Sequence, residues 1–369
     1  MDFFATAARG TEPALRDELR ELGLRGVRAD RGGVHFRGEM LDGARACLES
    51  RIAVRVLLRL CEGEARDGEE LYALARSIEW TRWLSPRHTL AVSAVSRASA
   101  LAHTLFIAQK TKDAIVDRIR DERGARPDVD REDADVRVFV HLAKDHAAIW
   151  LDLAGESLHL RGYRTKIREA PLKETLAAAM LRISGWDRRL PLLDPMCGAG
   201  TIAIEAWLWA HDVAPGLSRA RFGFERWASH DEPLARALAQ LREGARGRMK
   251  KEGPRVLGSD VDVRAIEAAR ANARAAGAHV DFRTLPLADV RPLSPPGFVV
   301  TNPPYDERLA ADEAFYRDMA DALRGLRRHD VAILAGTPAI ERAMRMRWTS
   351  STPLWNGKIE CRLLRYAMP

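Results

Sequence analysis

Apolar Ala14, Leu15, Leu19 and Leu22 recur at helical spacing, which predicts a helix over Thr11–Leu22. A strand carrying Phe3 and Phe4 precedes it, and a strand over Gly33–Phe36 and a helix over Leu41–Leu48 follow, giving a small α+β module that reaches about Gly63. From Leu71 to Leu160 the pattern changes to a strand over Thr89–Val95, a long helix over Thr104–Ile119, and strands over Val136–Leu142 and Ala147–Leu153. Val136, Val138 and Val140 alternate with polar positions, so one face of this sheet should pack on the helix. The acidic run Asp121, Glu122, Asp128, Asp130, Glu132, Asp133 and Asp135 is expected to face solvent.

Beyond Leu190 strand and helix alternate. Strands are expected at Leu192–Asp194, Val256–Ser259, Val280–Phe282, Phe298–Thr301 and Val331–Leu334, with helices at Thr201–Ala210, Val263–Ala275, Ala314–Leu326 and Ala339–Met346. Such alternation implies parallel strands joined by right-handed crossovers, an open α/β sheet whose ligand lies beyond the strand C-terminal ends. Asn356-Gly357 between Thr352–Trp355 and Cys361–Tyr366 predicts a closing hairpin. The stretch from His211 to Gly253 is too long for a short crossover and reads as an insertion. Its aromatics, Phe222, Phe224 and Trp227, either meet a base or pack over the first helix of this part, and packing is the favoured reading.

Composition narrows the function classes. The chain has 369 residues, of which 46% are hydrophobic and 30% charged, an ordinary balance for a globular protein of two or three domains. No apolar run approaches the roughly 20 residues that cross a bilayer, and the start lacks a basic segment followed by a long apolar core. A cytoplasmic protein without a membrane partner is expected. Cys47, Cys61, Cys197 and Cys361 form no CxxC pair, which argues against a disulfide scaffold and a structural zinc, and no metal site is expected. The net charge of +7 favours an anionic partner such as nucleic acid, weakly, because the basic residues are overwhelmingly arginine and genomic base composition explains that equally well. The segment RGYRTKIREAPLK at Arg161–Lys173 carries five basic residues against one acid. It reads either as an exposed connector or as a phosphate-facing edge in which Arg161, Arg164, Lys166 and Arg168 engage a nucleic-acid backbone.

Three short motifs carry the candidate chemistry. Asp194-Pro-Met196-Cys197-Gly198-Ala-Gly200-Thr201 follows an apolar strand and opens a helix; the glycines permit a tight turn and close ligand approach beside free backbone N–H groups. Asp260, at the end of the second strand, is suited to accept both ribose hydroxyls of a nucleoside cofactor or else to cap the next helix, and Asp289 is placed for an adenine amino group or a turn. Thr301-Asn302-Pro303-Pro304-Tyr305 follows a further apolar strand. Its prolines remove donors and expose carbonyls beside an amide and an aromatic ring, an arrangement that holds a planar group with an exocyclic amine.

Taken together, these motifs resemble the class I S-adenosylmethionine-dependent methyltransferases, and within them the THUMP-containing RNA guanine-N2 methyltransferases. DPMCGAGT at Asp194–Thr201 resembles the family's cofactor loop, GSDVDVRAIEAARANARAAG at Gly258–Gly277 its acidic second-strand end, and TNPPYDERL at Thr301–Leu309 its amine-methylating motif. ATAARGTEPALRDEL at Ala5–Leu19 and APGLSRARFGFERW at Ala214–Trp227 resemble the bacterial 23S rRNA guanine-N2 methyltransferase group, in its N-terminal methyltransferase half. Lys173-Glu174-Thr175 stands where that group's pattern leads one to expect Lys-Glu-Asn. Ending after one methyltransferase domain, the chain is expected to leave any second rRNA methylation to another protein.

The resemblance implies an α/β fold with a C-terminal Rossmann-like methyltransferase sheet behind an N-terminal α+β module and a THUMP domain. The implied division is a ferredoxin-like module at 1–63, a THUMP RNA-binding domain at 64–160, a connector and lead-in helix at 161–189, and a methyltransferase domain at 190–369 with an insertion at 211–253. S-adenosylmethionine would be held by Asp194, Met196, Cys197, Gly198, Gly200, Thr201, Asp260 and Asp289. Asn302 and the Pro303 carbonyl would accept the target amine's N–H bonds while Tyr305 stacks on the base. Asp306 would sense the guanine edge or cap a turn. RNA, as 23S rRNA or a ribosomal assembly intermediate, is the expected partner, with tRNA the nearest rival substrate. A protein glutamine amide and an inactive RNA-binding assembly factor are the more distant readings.

Overall fold

A computed structural model describes residues 1–164, 172–291, 294–305 and 313–369. The first sheet collects β1 (Asp2–Thr6), β2 (Arg25–Asp30), β3 (Gly33–Arg37), β4 (Arg55–Glu64), β5 (Thr89–Arg97), β6 (Asp128–Val129), β7 (Val136–Ala143) and β8 (His146–Asp152). Helices α1 (Glu12–Glu21), α2 (Met40–Glu49), α3 (Gly68–Arg76) and α4 (Thr104–Arg123) lie among them in sequence. The strand order is β2-β3-β1-β4-β8-β7-β5-β6. β4 joins the two halves: Phe3 of β1 pairs with Leu58 on one side, and Glu64 pairs with His146 of β8 on the other. Residues before and after position 63 thus build one continuous eight-stranded sheet. The alternating Val136, Val138 and Val140 are buried with Ile107, Ala114 and Ile115 of α4, as their spacing requires.

Periodicity alone passes over β2, β4 and α3. β2 is an edge strand whose inward face carries only Val27 and Ala29, an alternation too short to stand out in the sequence. In β4 the register shifts between Arg59 and Cys61, and such a bulge breaks the two-residue period by which a strand is recognised.

The second sheet follows α5 (Glu174–Ile183) and contains β9 (Leu192–Asp194), β10 (Val256–Asp260), β11 (Asp281–Thr284), β12 (Gly297–Thr301), β13 (His329–Ala335), β14 (Ser350–Asn356) and β15 (Ile359–Ala367). Crossovers carry α6 (Thr201–Ala210), α7 (Glu232–Gly247), α8 (Val263–Ala276), α9 (Glu313–Arg324) and α10 (Pro338–Met344). The order β11-β10-β9-β12-β13-β15-β14 places the first strand in the middle, with the chain turning to one side for β10 and β11 and to the other for β12 and β13. All pair in parallel except β15, which runs antiparallel between β13 and β14. The C-terminal ends of β9, β10 and β12 therefore meet at the switch point where open α/β sheets bind ligands. Among the described residues no helix is long and apolar enough to cross a membrane.

The stretch 211–253 stays beside α6 at its ends, where His211 stacks on Trp207, but from Ala214 to Ala245 it lies against the first sheet rather than its own. Phe222, Phe224 and Trp227 are almost wholly buried, but they pack into the core beneath the first sheet and not over α6. Trp227 meets Trp83 edge-on at 5.7 Å, the Phe224 N–H donates to the Leu153 carbonyl at 3.2 Å, and α7 packs on α2. Burying these three rings contributes roughly 2–3 kcal/mol each. The acidic loop is drawn in as well: Arg226 pairs with Asp133 and Asp135, and Asp135 also accepts the Thr89 N–H at 2.8 Å. Asp135, largely covered, corrects the expectation that the whole run faces solvent, whereas Asp133 meets Arg226 from the exposed side.

Candidate active site

The loop from Asp194 to Gly200 is fixed at both ends. Asp194, buried at the end of β9, accepts the Thr301 hydroxyl of β12 at 2.8 Å and the Met196 N–H at 3.4 Å. Cys197 donates its N–H to the Ser259 carbonyl at 2.9 Å, and Asn272 of α8 donates its side-chain N–H to the Ala199 carbonyl at 3.0 Å. Gly200 sits at φ +84° directly before α6, and a Cβ there would lie 2.7 Å from the Phe282 ring and 3.0 Å from the Ala269 Cβ. Both the conformation and the space demand glycine. A Cβ on Gly198 would instead meet no heavy atom within 4 Å, so the loop's backbone is open toward space.

Asp260 reaches across from β10 and accepts the Gly198 N–H at 2.9 Å and the Asp262 N–H at 3.0 Å. It does not cap α8. That task falls to Asp262, which the sequence reading passed over, whose carboxylate accepts the Arg264 N–H at 2.8 Å. Asp289 is exposed in the turn after β11, the strand that pairs beside β10.

The Thr301–Tyr305 segment leaves the end of β12 toward the same edge. Pro303 is buried, the Pro304 carbonyl accepts the Tyr316 hydroxyl at 2.9 Å, and the Asn302 side-chain oxygen is buried without a hydrogen-bond partner. A buried acceptor left empty costs about 1–3 kcal/mol, which makes the Asn302 oxygen a place where an incoming donor gains what the fold has forgone. Asp306 lies outside the described residues, as do Lys166 and Arg168.

The other two connector arginines do not face a backbone in solution. Arg161 is 4% exposed; its guanidinium donates to the Leu158 carbonyl at 2.6 Å and to the Arg51 carbonyl, and lies 3.6 Å from the Glu205 carboxylate of α6. The Tyr163 hydroxyl donates to the same carboxylate at 3.1 Å. Arg164 pairs with buried Glu174 at 3.3 Å and donates to the Thr201 hydroxyl at 3.1 Å, so it grips the first residue of the helix behind the loop. This corrects the phosphate-facing expectation for both residues: their charge is spent on carboxylates and carbonyls, some local, as Leu158 and Glu174 are, and some brought in from afar, as Arg51 and Glu205 are.

Residues 161–365, more than half of the chain, match the family model described as the RMKL-like methyltransferase domain. The chain belongs to that family. Two further models match ahead of it, the RlmL ferredoxin-like domain over residues 2–57 and the THUMP domain over 65–152. Among curated relatives, the ribosomal RNA large subunit methyltransferase K/L of Methylococcus capsulatus is 45% identical, over 99% of this chain and 51% of that protein. The chain thus spans about half the length of the curated relatives it matches. Among solved structures, SMU.472 in complex with SAH aligns over 100% of this chain and 98% of its own with a TM-score of 0.91 at 31% identity. A Listeria monocytogenes protein described as a predicted N6-adenine-specific DNA methylase aligns over 100% and 96% with a TM-score of 0.90, also at 31% identity.

As an RMKL-like class I methyltransferase domain, the second sheet takes its methyl group from S-adenosylmethionine. The residues present fit that donor. The open backbone at Gly198 leaves room for it, and the Asp260 carboxylate keeps acceptor capacity for ribose hydroxyls beyond its two backbone partners. Asp260→Ala is expected to weaken S-adenosylmethionine binding about 10-fold or more, the scale of a lost hydrogen bond to a charged group. Calorimetric titration checks this, and an unchanged dissociation constant would remove Asp260 from the donor site.

Burial pushes the Asp194 carboxyl up to about 7, and nearby Asp260 adds to the rise, against the opposing bonds from Thr301 and Met196. The folded protein therefore holds this proton more tightly than the unfolded chain. The stability it contributes is complete below about pH 4, where unfolded aspartate titrates, and is lost as pH rises through 7. Asp194→Asn has no proton to lose, so its melting temperature relative to the wild type should climb between pH 5 and pH 8. A difference that stays constant across this range would contradict the raised value.

Proposed function

We propose that the chain transfers the methyl group of S-adenosylmethionine to the exocyclic N2 of a guanine in 23S rRNA. The observation that carries this reading is the buried, unpartnered Asn302 oxygen beside Pro303 and Tyr305, at the sheet edge that also holds Asp194 and Asp260. Support for the RNA comes from the THUMP match and from the near-complete coverage by a ribosomal RNA large subunit methyltransferase of Methylococcus capsulatus.

Bound S-adenosylmethionine supplies an electrophilic methyl on a sulfonium that leaves neutral. The protein's contribution is alignment and a polar cradle for the amine. Guanine N2 is a poor nucleophile because its lone pair is delocalised into the ring. The Asn302 oxygen and the Pro303 carbonyl accept its two N–H bonds, which turns the lone pair out of the ring plane and stabilises the positive charge that develops on nitrogen. Tyr305 stacks on the base, offsetting the few kcal/mol needed to extrude a paired nucleotide. The surplus proton leaves to solvent after transfer. Asp306, Lys166 and Arg168 remain assigned to RNA contact in this reading, whereas Arg161 and Arg164 act by holding the connector against α6 and the cofactor loop.

The test is incubation of the protein and methyl-labelled S-adenosylmethionine with unmodified 23S rRNA and, separately, total tRNA, followed by nucleoside identification. N2-methylguanosine from rRNA alone is the expected result. Label in tRNA would move the activity to transfer RNA, and N6-methyladenosine would overturn the assignment of the base.

A further inference from the structure

We propose that Asn356, on the closing hairpin, is a positioning residue that fixes the ring of Tyr305 for stacking on the target base; this rests on the base-stacking role proposed above for Tyr305. Read as sequence, Asn356-Gly357 is a turn. In the structure Asn356 is the last residue of β14 and pairs with Ile359, so the two-residue turn is Gly357-Lys358, and the left-handed conformation falls on Gly357 at φ +63°. The turn therefore makes no demand on the Asn356 side chain. Its amide N–H donates instead to the Tyr305 hydroxyl at 2.7 Å, across 51 residues of sequence. Nearer its root the ring lies against Gly336, just past β13, where a Cβ would stand 2.2 Å from the ring's Cδ2 and 2.5 Å from its Cγ.

A phenol ring has two free torsions, and here the slot at Gly336 restrains one end while Asn356 holds the hydroxyl at the other. Such restraint matters because stacking geometry sets how the amine meets the methyl, and a displacement of about 1 Å costs on the order of 100-fold in rate. The hairpin is itself braced from the first sheet's side of the molecule. The Trp355 N–H donates to the Arg9 carbonyl at 3.2 Å, and the Arg9 guanidinium lies 3.8 Å from the centroid of the Trp355 ring. The N-terminal segment thus supports the strand that supports the tyrosine.

A double-mutant cycle on the full chain tests the assignment. Asn356→Ala should lower the single-turnover methylation rate about 10-fold while the S-adenosylmethionine dissociation constant stays within about twofold; added to Tyr305→Phe, which removes the hydroxyl, it should change the rate by less than about twofold. Multiplication of the two effects, or no effect of Asn356→Ala alone, would overturn the proposal. If Asn356→Ala fails to fold, Asn356→Ser, too short to reach the hydroxyl, replaces it. An RNA-free arm labels the five tyrosines at Cζ with carbon-13. The Tyr305 resonance, assigned through Tyr305→Phe, should shift in the Asn356 variant, and an unmoved resonance would overturn the contact. A wild type that methylates neither rRNA nor tRNA would instead count against the proposed substrate and leave the resonance to decide on Asn356.

Discussion

Asn302→Ala is expected to slow methyl transfer by about 100- to 1000-fold, the scale on which a single preorganised group at a charged transition state acts. The same change should leave S-adenosylmethionine affinity within about threefold, because among the described residues the Asp194–Gly200 loop is held by Thr301, Ser259, Asp260 and Asn272 and not by Asn302. It carries a second signature. The Asn302 oxygen is buried without a partner, so the fold keeps an unsatisfied acceptor for the reaction's use. Removing it should raise the melting temperature of the ligand-free protein even as activity collapses. Single-turnover kinetics and thermal denaturation on one preparation measure both. A rate within threefold of wild type would remove Asn302 from the reacting centre, and a fall in stability would mean that its amide is chiefly structural.

Glu205→Ala should produce the largest loss of stability, roughly 3–5 kcal/mol, the cost of taking one partner from a buried ionic cluster. Glu205 faces Arg161 at 3.6 Å and accepts the Tyr163 hydroxyl, all three being almost wholly buried between α6 and the connector. Arg51 belongs to the same cluster: burial pushes its guanidinium down to about 10, Glu205 and Glu18 hold it up, and it donates to the Val213 carbonyl at 2.7 Å. Without Glu205, two arginines remain buried side by side with one carboxylate fewer. Urea denaturation should show a lowered midpoint. Arg161→Ala should act through stability in the same way, leaving the salt dependence of RNA binding unchanged.

The alternating part of the fold was legible because its central strands β9, β10, β12 and β13 each contain a short apolar run followed by a polar or glycine-rich turn. Asp194, Asp260 and Asn302 stand at or just past strand ends, and Gly200 at the start of the following helix, where order in sequence converts directly into position in space. Arg161 and Arg164 were misread for the opposite reason. A charge run shows its sign but not its partners, and Glu205 lies 44 residues beyond Arg161. Glu174 was close at hand, and an acid ten residues after Arg164 at the start of a helix was the one local hint of an inward-facing pair. The insertion's aromatics were recognised as packing residues, yet nothing in their spacing names the surface they fill. β4 escaped because it serves two halves of one sheet and carries a bulge, so neither half shows a clean two-residue period.

The placement of Phe222, Phe224 and Trp227 bears on how such chains change over generations. Three rings encoded within the methyltransferase segment complete the core beneath the other sheet. A recombination event that joined this front half to a foreign catalytic domain would leave a hole the size of three aromatic side chains and a bare seam along α2. Exchange is tolerable only if residues 211–253 travel with the partner they fill, so the two halves are expected to be inherited as a unit and to drift together rather than shuffle as independent cassettes.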